Sequence, residues 1–308
     1  MLSSKDIISI NDFSREEILH IIQTAAQLEQ DGQKHDYLRG KILATVFYET
    51  STRTKISFNV AMKRLGGNVI GFSHLKNSSF LKGESFSDTL RILEGYCDIM
   101  TLRAPWEGSA RYAGEIVDVP VINAGDGSNQ HPTQTLLDLY TVMQTQGRLD
   151  HLRIGMLGDL KYGRTVHSLL MGLSHFNVEL FFISHPTLSV PKRYLRHLES
   201  KGIRYHILEN YPQIIDELDI LYVTRVQKER FPDEKEYSQV RGLYQLSRKD
   251  ISSVRENFKI MHPLPRVDEI NPDVDDSEHA VYFQQAKNGV VVREALIYLL
   301  LGGEKLKG

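Results

Sequence analysis

Three hydroxyls and two cations fall in five consecutive positions, Ser51-Thr52-Arg53-Thr54-Lys55, between an apolar run at 42–48 and a stretch of helical character. At a helix N-terminus such side chains join unpaired backbone N–H groups and the positive end of the dipole, which suits a phosphate. A plain N-cap with a solvated arginine uses the same residue types, but the crowding of cations and hydroxyls favours the anion. A second polar loop, Ser78-Ser79-Phe80-Leu81-Lys82-Gly83-Glu84-Ser85, reads by itself as a solvated loop with one lysine. Arg103 closes an apolar run, and His131 precedes Pro132-Thr133-Gln134, where proline suits the first turn of a helix. A lone histidine there would ordinarily be a cap or a satisfied interior group. Gly158-Asp159-Leu160-Lys161-Tyr162-Gly163-Arg164-Thr165 nearly meets the nucleotide-binding pattern G-x-x-x-x-G-K-[ST], with Arg164 at the lysine position. Thr224-Arg225-Val226-Gln227 and His262-Pro263-Leu264-Pro265 complete the set. Two arginines suit two carboxylates, which guanidinium groups bind through paired donors; a surface ion pair is the plain alternative for either one alone.

Periodicity places these residues on elements. Ser14 and Glu17 form a capping box, followed by Ile18, Ile21, Ile22, Ala25 and Leu28 at helical spacing. Gly66-Gly67 stops the helix that follows Ser51. Strand-like runs at 42–48, 69–72, 99–102 and 119–122 alternate with helical segments, the mark of a parallel sheet with crossover helices. A helix from Pro132 to Gly147 buries Leu136, Leu137, Tyr140 and Met143, and the alternation restarts at 153–157, 178–183, 203–208, 220–223 and 259–261. The stretch 286–301 reads as a helix apolar nearly all round. The pattern predicts two α/β domains joined by the helix at Pro132, with the last helix returning to the first domain.

Bulk composition narrows the classes. A chain of 308 residues with 41% hydrophobic and 25% charged residues suits two soluble α/β domains. The net charge of −2 supplies no global field for nucleic acid. The single cysteine, Cys97, forms no internal disulfide and no zinc cluster. Residues 1–14 lack a signal-like apolar segment, and the apolar run 295–301 is too short to span a bilayer. A soluble, cytoplasmic protein with no membrane partner is expected.

Ser51-Thr52-Arg53-Thr54 after a strand, preceded by Phe47-Tyr48-Glu49, resembles the carbamoyl-phosphate motif of the carbamoyltransferases, and the likeness runs through most of the chain. The resemblance implies that Ser51, Thr52, Arg53 and Thr54 bind carbamoyl phosphate. It places Thr54, Arg103 and His131 on the carbamoyl oxygen and Gln134 on the carbamoyl amine. One donor to such a developing oxyanion is typically worth about a hundred- to a thousandfold in rate. The loop ending Lys82-Gly83-Glu84 is similar to one that a neighbouring subunit inserts into the site, which assigns Ser78 and Lys82 that role. Some relatives carry two successive lysines there, whereas this chain has Leu81 before Lys82.

Gly-Asp-Leu-Lys-Tyr-Gly-Arg-Thr also resembles the aspartate carbamoyltransferases, in which the arginine binds aspartate. This implies aspartate-binding roles for Arg164, Arg225, Gln227, Lys82 and Leu264. By the same resemblance the Leu264–Pro265 peptide is cis and turns backbone carbonyls to the substrate amine, and both residues border carbamoyl phosphate. The stretches Arg266-Val267-Asp268-Glu269-Ile270 and Tyr282-Phe283-Gln284-Gln285 extend the likeness. Ornithine-specific relatives resemble His-Cys-Leu-Pro where this chain has Pro263, and no aspartate-containing ornithine motif is found, so a dicarboxylate acceptor is expected.

The implied fold is two doubly wound parallel-sheet domains with the site in the cleft between them. Residues 1–132 with the helix 287–308 would bind carbamoyl phosphate, and 133–286 would bind aspartate. The implied reaction yields N-carbamoyl-L-aspartate and phosphate, an early step of de novo pyrimidine biosynthesis. No metal or organic cofactor is needed. A homotrimer with shared sites is implied, and the stretch at Tyr282 resembles members that bind a zinc-containing regulatory chain. A P-loop-like nucleotide site around Arg164 and a catalytically silent scaffold remain as alternatives. The first is disfavoured because arginine does not easily reproduce a flexible lysine on phosphate. The second would need a missing motif cation, and only the second loop lysine is missing. A dinucleotide site fails because G-x-G-x-x-G is absent.

Overall fold

The computed structural model describes residues 2, 4–32, 36–73, 83–227, 231, 233, 237, 238 and 240–302. The chain divides into two compact units, Met1–Leu136 with Asn288–Gly308, and Leu137–Lys287. The first opens with α1 (Arg15–Gln30), whose N-terminus is closed by the capping box expected from sequence: Ser14 Oγ accepts the Glu17 N–H, and the Glu17 carboxylate accepts that of Ser14. Ile18, Ile21, Ile22, Ala25 and Leu28 are all buried.

The first sheet holds β1 (Ile42–Phe47), β2 (Asn68–Ser73), β3 (Ile99–Ala104) and β4 (Val121–Asp126), all parallel, in the order β2-β1-β3-β4. Its crossovers carry α2 (Thr52–Arg64), α3 (Phe86–Glu94) and α4 (Ser109–Ile116). Val46, Leu90, Met100, Leu102, Ala110 and Val121 pack together in its core. The fourth strand begins and ends later than the apolar run at 119–122 suggests. Pro120 has no N–H to give a ladder, and the Val119 N–H is taken by Glu94 Oε1 at 3.3 Å. The strand then continues through polar Asn123 and Asp126 because β3 pairs with them, Leu102 with Asn123 and Ala104 with Asp126; the N-terminal segment also pairs with its start, Ile7 donating to Val121 O at 2.9 Å and Asn123 donating to Ile7 O at 2.8 Å.

The second unit holds β5 (Leu152–Leu157), β6 (Val178–Ile183), β7 (Arg204–Leu208), β8 (Ile220–Val223) and β9 (Lys259–Met261), all parallel, in the order β7-β6-β5-β8-β9. Leu157, Phe181, Ile183, Leu221, Val223 and Ile260 are among its core. Its helices include α6 (Arg164–Leu173) and α7 (Lys192–Ser200), while α5 (Pro132–Gln146) and α8 (Tyr282–Leu301) contain the unit boundaries. The last helix starts before residue 286 and is not simply apolar. Gln285, Asn288, Arg293 and Glu294 are buried in it, and Arg64 Nη1 meets Glu294 Oε1 at 3.0 Å. No helix among the described residues is long and apolar enough to cross a membrane.

Each sheet is doubly wound, so each has one place where successive crossovers leave in opposite directions. In the first it lies between β1 and β3, and in the second between β5 and β8. Ligands of open α/β sheets bind outside the carboxyl ends of the strands at such points.

Candidate active site

The first switch point gathers the residues suited to phosphate. The strand β1 ends against β3 with Phe47 in register with Arg103, and the Tyr48 N–H donates to Arg103 O at 2.8 Å. The chain then turns into α2 through Ser51, whose side chain makes no capping hydrogen bond. The first turn of α2 therefore presents N–H groups that Ser51 does not close. Thr54 is buried, whereas Thr52 and Arg53 are exposed. Partial burial draws the Arg53 pKa below the ordinary arginine value, yet a guanidinium stays charged. Lys55 donates to Ser73 Oγ at the end of β2 at 2.5 Å. Arg103 is fixed from two sides: its Nη1 donates to Ala124 O at 3.1 Å, and its Nε lies 3.4 Å from the Glu49 carboxylate.

His131 arrives on a loop organised by a residue that sequence reasoning missed. Asp126, the last residue of β4, accepts from Gly108 N, Asn123 Nδ2, Asn129 Nδ2 and Gln130 N, each at 3.0 Å. The loop also needs Gly127. Its φ is +58°, and a Cβ there would come 2.7 Å from Pro105 O. The loop after β4 is thus pressed onto the loop after β3, beside Arg103. His131, 5% exposed, then starts α5: its carbonyl accepts from Gln134 N at 3.0 Å, and its Nδ1 lies 3.5 Å from Thr133 Oγ1. The carboxyl ends of neighbouring β1, β3 and β4 therefore carry, in turn, Ser51 to Thr54, Arg103, and His131 with Gln134.

The second switch point gathers the acceptor candidates. Arg164 is the first residue of α6 after β5, and Arg225 and Gln227 follow β8. The two loops touch at Gly158, which has φ +113° and where a Cβ would lie 2.2 Å from Thr224 O. Asp159, 0% exposed, ties them together. Its Oδ1 accepts from Lys161 N at 3.2 Å and Tyr162 N at 2.9 Å, and its Oδ2 accepts from Gln227 N at 3.4 Å. Burial raises its pKa, offset in part by these amides. Two loop amides that a P-loop would offer to phosphate are thus directed at an internal carboxylate, which weighs against a nucleotide site here. Arg225 opens on a cavity of about 180 Å³ shared with Arg241, Val267, Asp268 and Glu269; Arg164 does not line it.

Leu264 stands at φ 53°, and its peptide bond to Pro265 is cis. Ser78 and Lys82 lie outside the described residues. Among the described residues no group of His, Cys, Asp and Glu side chains could hold a metal ion. Asp126 and Asp159 escaped notice because each reads as an ordinary turn residue, beside Gly127 and Gly158. A carboxylate next to a glycine at a strand end was the available signal.

Two family models match the chain: the aspartate/ornithine carbamoyltransferase carbamoyl-P binding domain over residues 5–144, and the Asp/Orn binding domain over 150–300. The aspartate carbamoyltransferase catalytic subunit of Thermococcus gammatolerans is 54% identical over 97% of this chain and 98% of its own. That of Methanocaldococcus jannaschii is 53% identical, covering 96% and 98%. The solved catalytic subunit of M. jannaschii aspartate transcarbamoylase superimposes with a TM-score of 0.92 at 52% identity, over 99% of this chain and 100% of that one. The Trypanosoma cruzi enzyme, solved with carbamoyl phosphate and aspartate, gives 0.92 at 35% identity over 98% of each chain.

Proposed function

The chain belongs to the aspartate/ornithine carbamoyltransferase family, and from that premise we infer that it transfers the carbamoyl group of carbamoyl phosphate to the amine of L-aspartate. The products are N-carbamoyl-L-aspartate and phosphate, which makes the reaction an early step of pyrimidine biosynthesis. Ser51, Thr52, Arg53 and Thr54 hold the phosphate at the N-terminus of α2. Thr54, Arg103 and His131 donate to the carbamoyl oxygen as it gains charge, and the Gln134 amide oxygen takes the carbamoyl N–H. Arg164 and Arg225 pair with the two carboxylates, assisted by Gln227, and the Leu264 carbonyl accepts from the amine. The neutral amine attacks the carbamoyl carbon, the C–O bond to phosphate breaks, and the departing phosphate takes the amine proton. No protein base is required. Holding the two reactants in line removes about 7–11 kcal/mol of barrier at best, so positioning supplies much of the rate.

The acceptor assignment is carried by one observation: two arginines sit at the carboxyl ends of the strands flanking the second switch point. Ser78 and Lys82 are assigned to the site of a neighbouring copy, which implies a homotrimer with shared sites in the cytoplasm. A zinc-containing regulatory chain is a further partner suggested by the stretch beginning at Tyr282. The kinetic test separates the two ends of the site. Arg225→Ala should raise the aspartate KM by roughly a hundredfold or more, as expected for a lost charge-assisted pair, and leave that of carbamoyl phosphate within about threefold. Arg53→Ala should do the reverse. Equal effects of both variants on both substrates would overturn the assignment.

A further inference from the structure

Leu264 occupies left-handed backbone at φ 53°, a conformation that costs an ordinary L-residue about 1–2 kcal/mol, so its neighbours must hold it there. The holding group is the ring two residues back: the Leu264 N–H donates to His262 Nδ1 at 2.8 Å. An amide N–H can only donate, so Nδ1 is the bare nitrogen and the neutral ring carries its proton on Nε2. That nitrogen donates to Glu269 Oε1 at 2.6 Å, with the two side chains 1% and 6% exposed. The other Glu269 oxygen accepts the N–H groups of Val267 and Asp268, each at 3.1 Å. Val267, Asp268 and Glu269 in turn border the cavity on which Arg225 opens.

The ring's own mount is fixed with equal care. His262 N donates to Gln285 Oε1 at 2.8 Å, Gln285 Nε2 donates to Asp138 Oδ1 at 2.6 Å, and Tyr222 OH donates to Asp138 Oδ2 at 3.0 Å. These partners stand on α8, α5 and β8, and all are buried. A continuous buried chain of hydrogen bonds therefore runs from the strand beside Arg225 to the backbone of Leu264. Buried polar groups tolerate few alternative pairings, because each partner left unmade is costly.

We propose that His262 is a positioning residue for acceptor attack, its bare Nδ1 aiming the Leu264 carbonyl at the substrate amine; the inference rests on the function assigned above. Two near-isosteres separate the ring's two bonds. In His262→Asn an amide oxygen lies near the Nδ1 position and can accept from Leu264, but nothing reaches Glu269. In His262→Gln the amide nitrogen can reach Glu269, but nothing accepts from Leu264. With aspartate as acceptor, kcat of the Asn variant should stay within about fivefold of wild type. That of the Gln variant should fall by up to about a hundredfold, as a misplaced group can cost. Both are first checked for folding by circular dichroism and melting.

A purely structural role would lower both melting points without ranking kcat in this order. Equal turnover, or the Gln variant the faster, overturns the inference while an active wild type keeps the functional reading. An inactive wild type removes both. Hydrogen exchange reads the same bond without any substitution. Pro263 and Pro265 have no amide hydrogen, so the signal between them belongs to Leu264. Protection is expected, and exchange at the open-chain rate overturns the inference even if the Gln variant does not fold.

Discussion

Asp159 turns its carboxylate on its own loop and on the next one, which makes it the residue through which the two arginine-bearing segments share one geometry. Asp126 does the same for the loop that delivers His131. Neither is assigned contact with substrate; each is a buried carboxylate that satisfies part-buried loop amides. Such a group typically costs about 1–3 kcal/mol when its partner is removed. Asp159→Ala should therefore raise the aspartate KM by roughly tenfold or more while the carbamoyl phosphate KM stays nearly constant. Steady-state kinetics with each substrate varied in turn will check it, and an equal rise in both would show that Asp159 supports the fold at large. Lys55 is instructive in the opposite sense. It belongs to the same five-residue cluster as Arg53, but its side chain is engaged by Ser73 at the end of β2.

At the scale of elements, α8 combines an apolar surface with a buried carboxyl, Glu294, paired with Arg64 of α2. Glu294 is 1% exposed, and burial raises its carboxyl to about 7; the Arg64 guanidinium at 3.0 Å opposes that rise without cancelling it. An acid whose folded pKa is raised holds a proton that the unfolded chain releases. Its favourable contribution is complete below the unfolded value near 4.5 and is lost as pH climbs to about 7. Over that window the loss is on the order of 3 kcal/mol. Thermal unfolding of wild type and Glu294→Gln from pH 4.5 to 8 measures it. The wild type should lose stability with rising pH more steeply than the variant, and parallel profiles would show that the carboxyl keeps an ordinary pKa. The elements themselves were largely legible in the sequence, because hydrophobic period, the Ser14 capping box and glycine stops act locally. Two features were not. The polar end of β4 is a strand because β3 pairs with it, Leu102 with Asn123 and Ala104 with Asp126, a partner that local sequence pattern does not show. The polar half of α8 is buried because its partners, Arg64 and His262 among them, come from distant parts of the chain.

At the scale of the whole molecule, the arrangement of strands explains why the motifs fall where they do. Both sheets reverse their winding once, and Ser51 to Thr54, Arg103, Arg164 and Arg225 follow or end the strands beside those reversals. The residue types of Ser51 to Thr54 and the two arginines could be read directly, since anion recognition needs particular side chains at particular helix and strand ends. The residues that organise the loops around them, Asp126 for His131, Asp159 for the two arginines and His262 for Leu264, could not. Their roles depend on which amides the fold brings to them. The acceptor remains the central claim, and one assay addresses it directly: a colorimetric measurement of ureido product from the purified chain, with carbamoyl phosphate and either L-aspartate or L-ornithine. Product with aspartate alone is the expected result. Product with ornithine alone would keep the carbamoyl-phosphate site and contradict the roles given to Arg164 and Arg225.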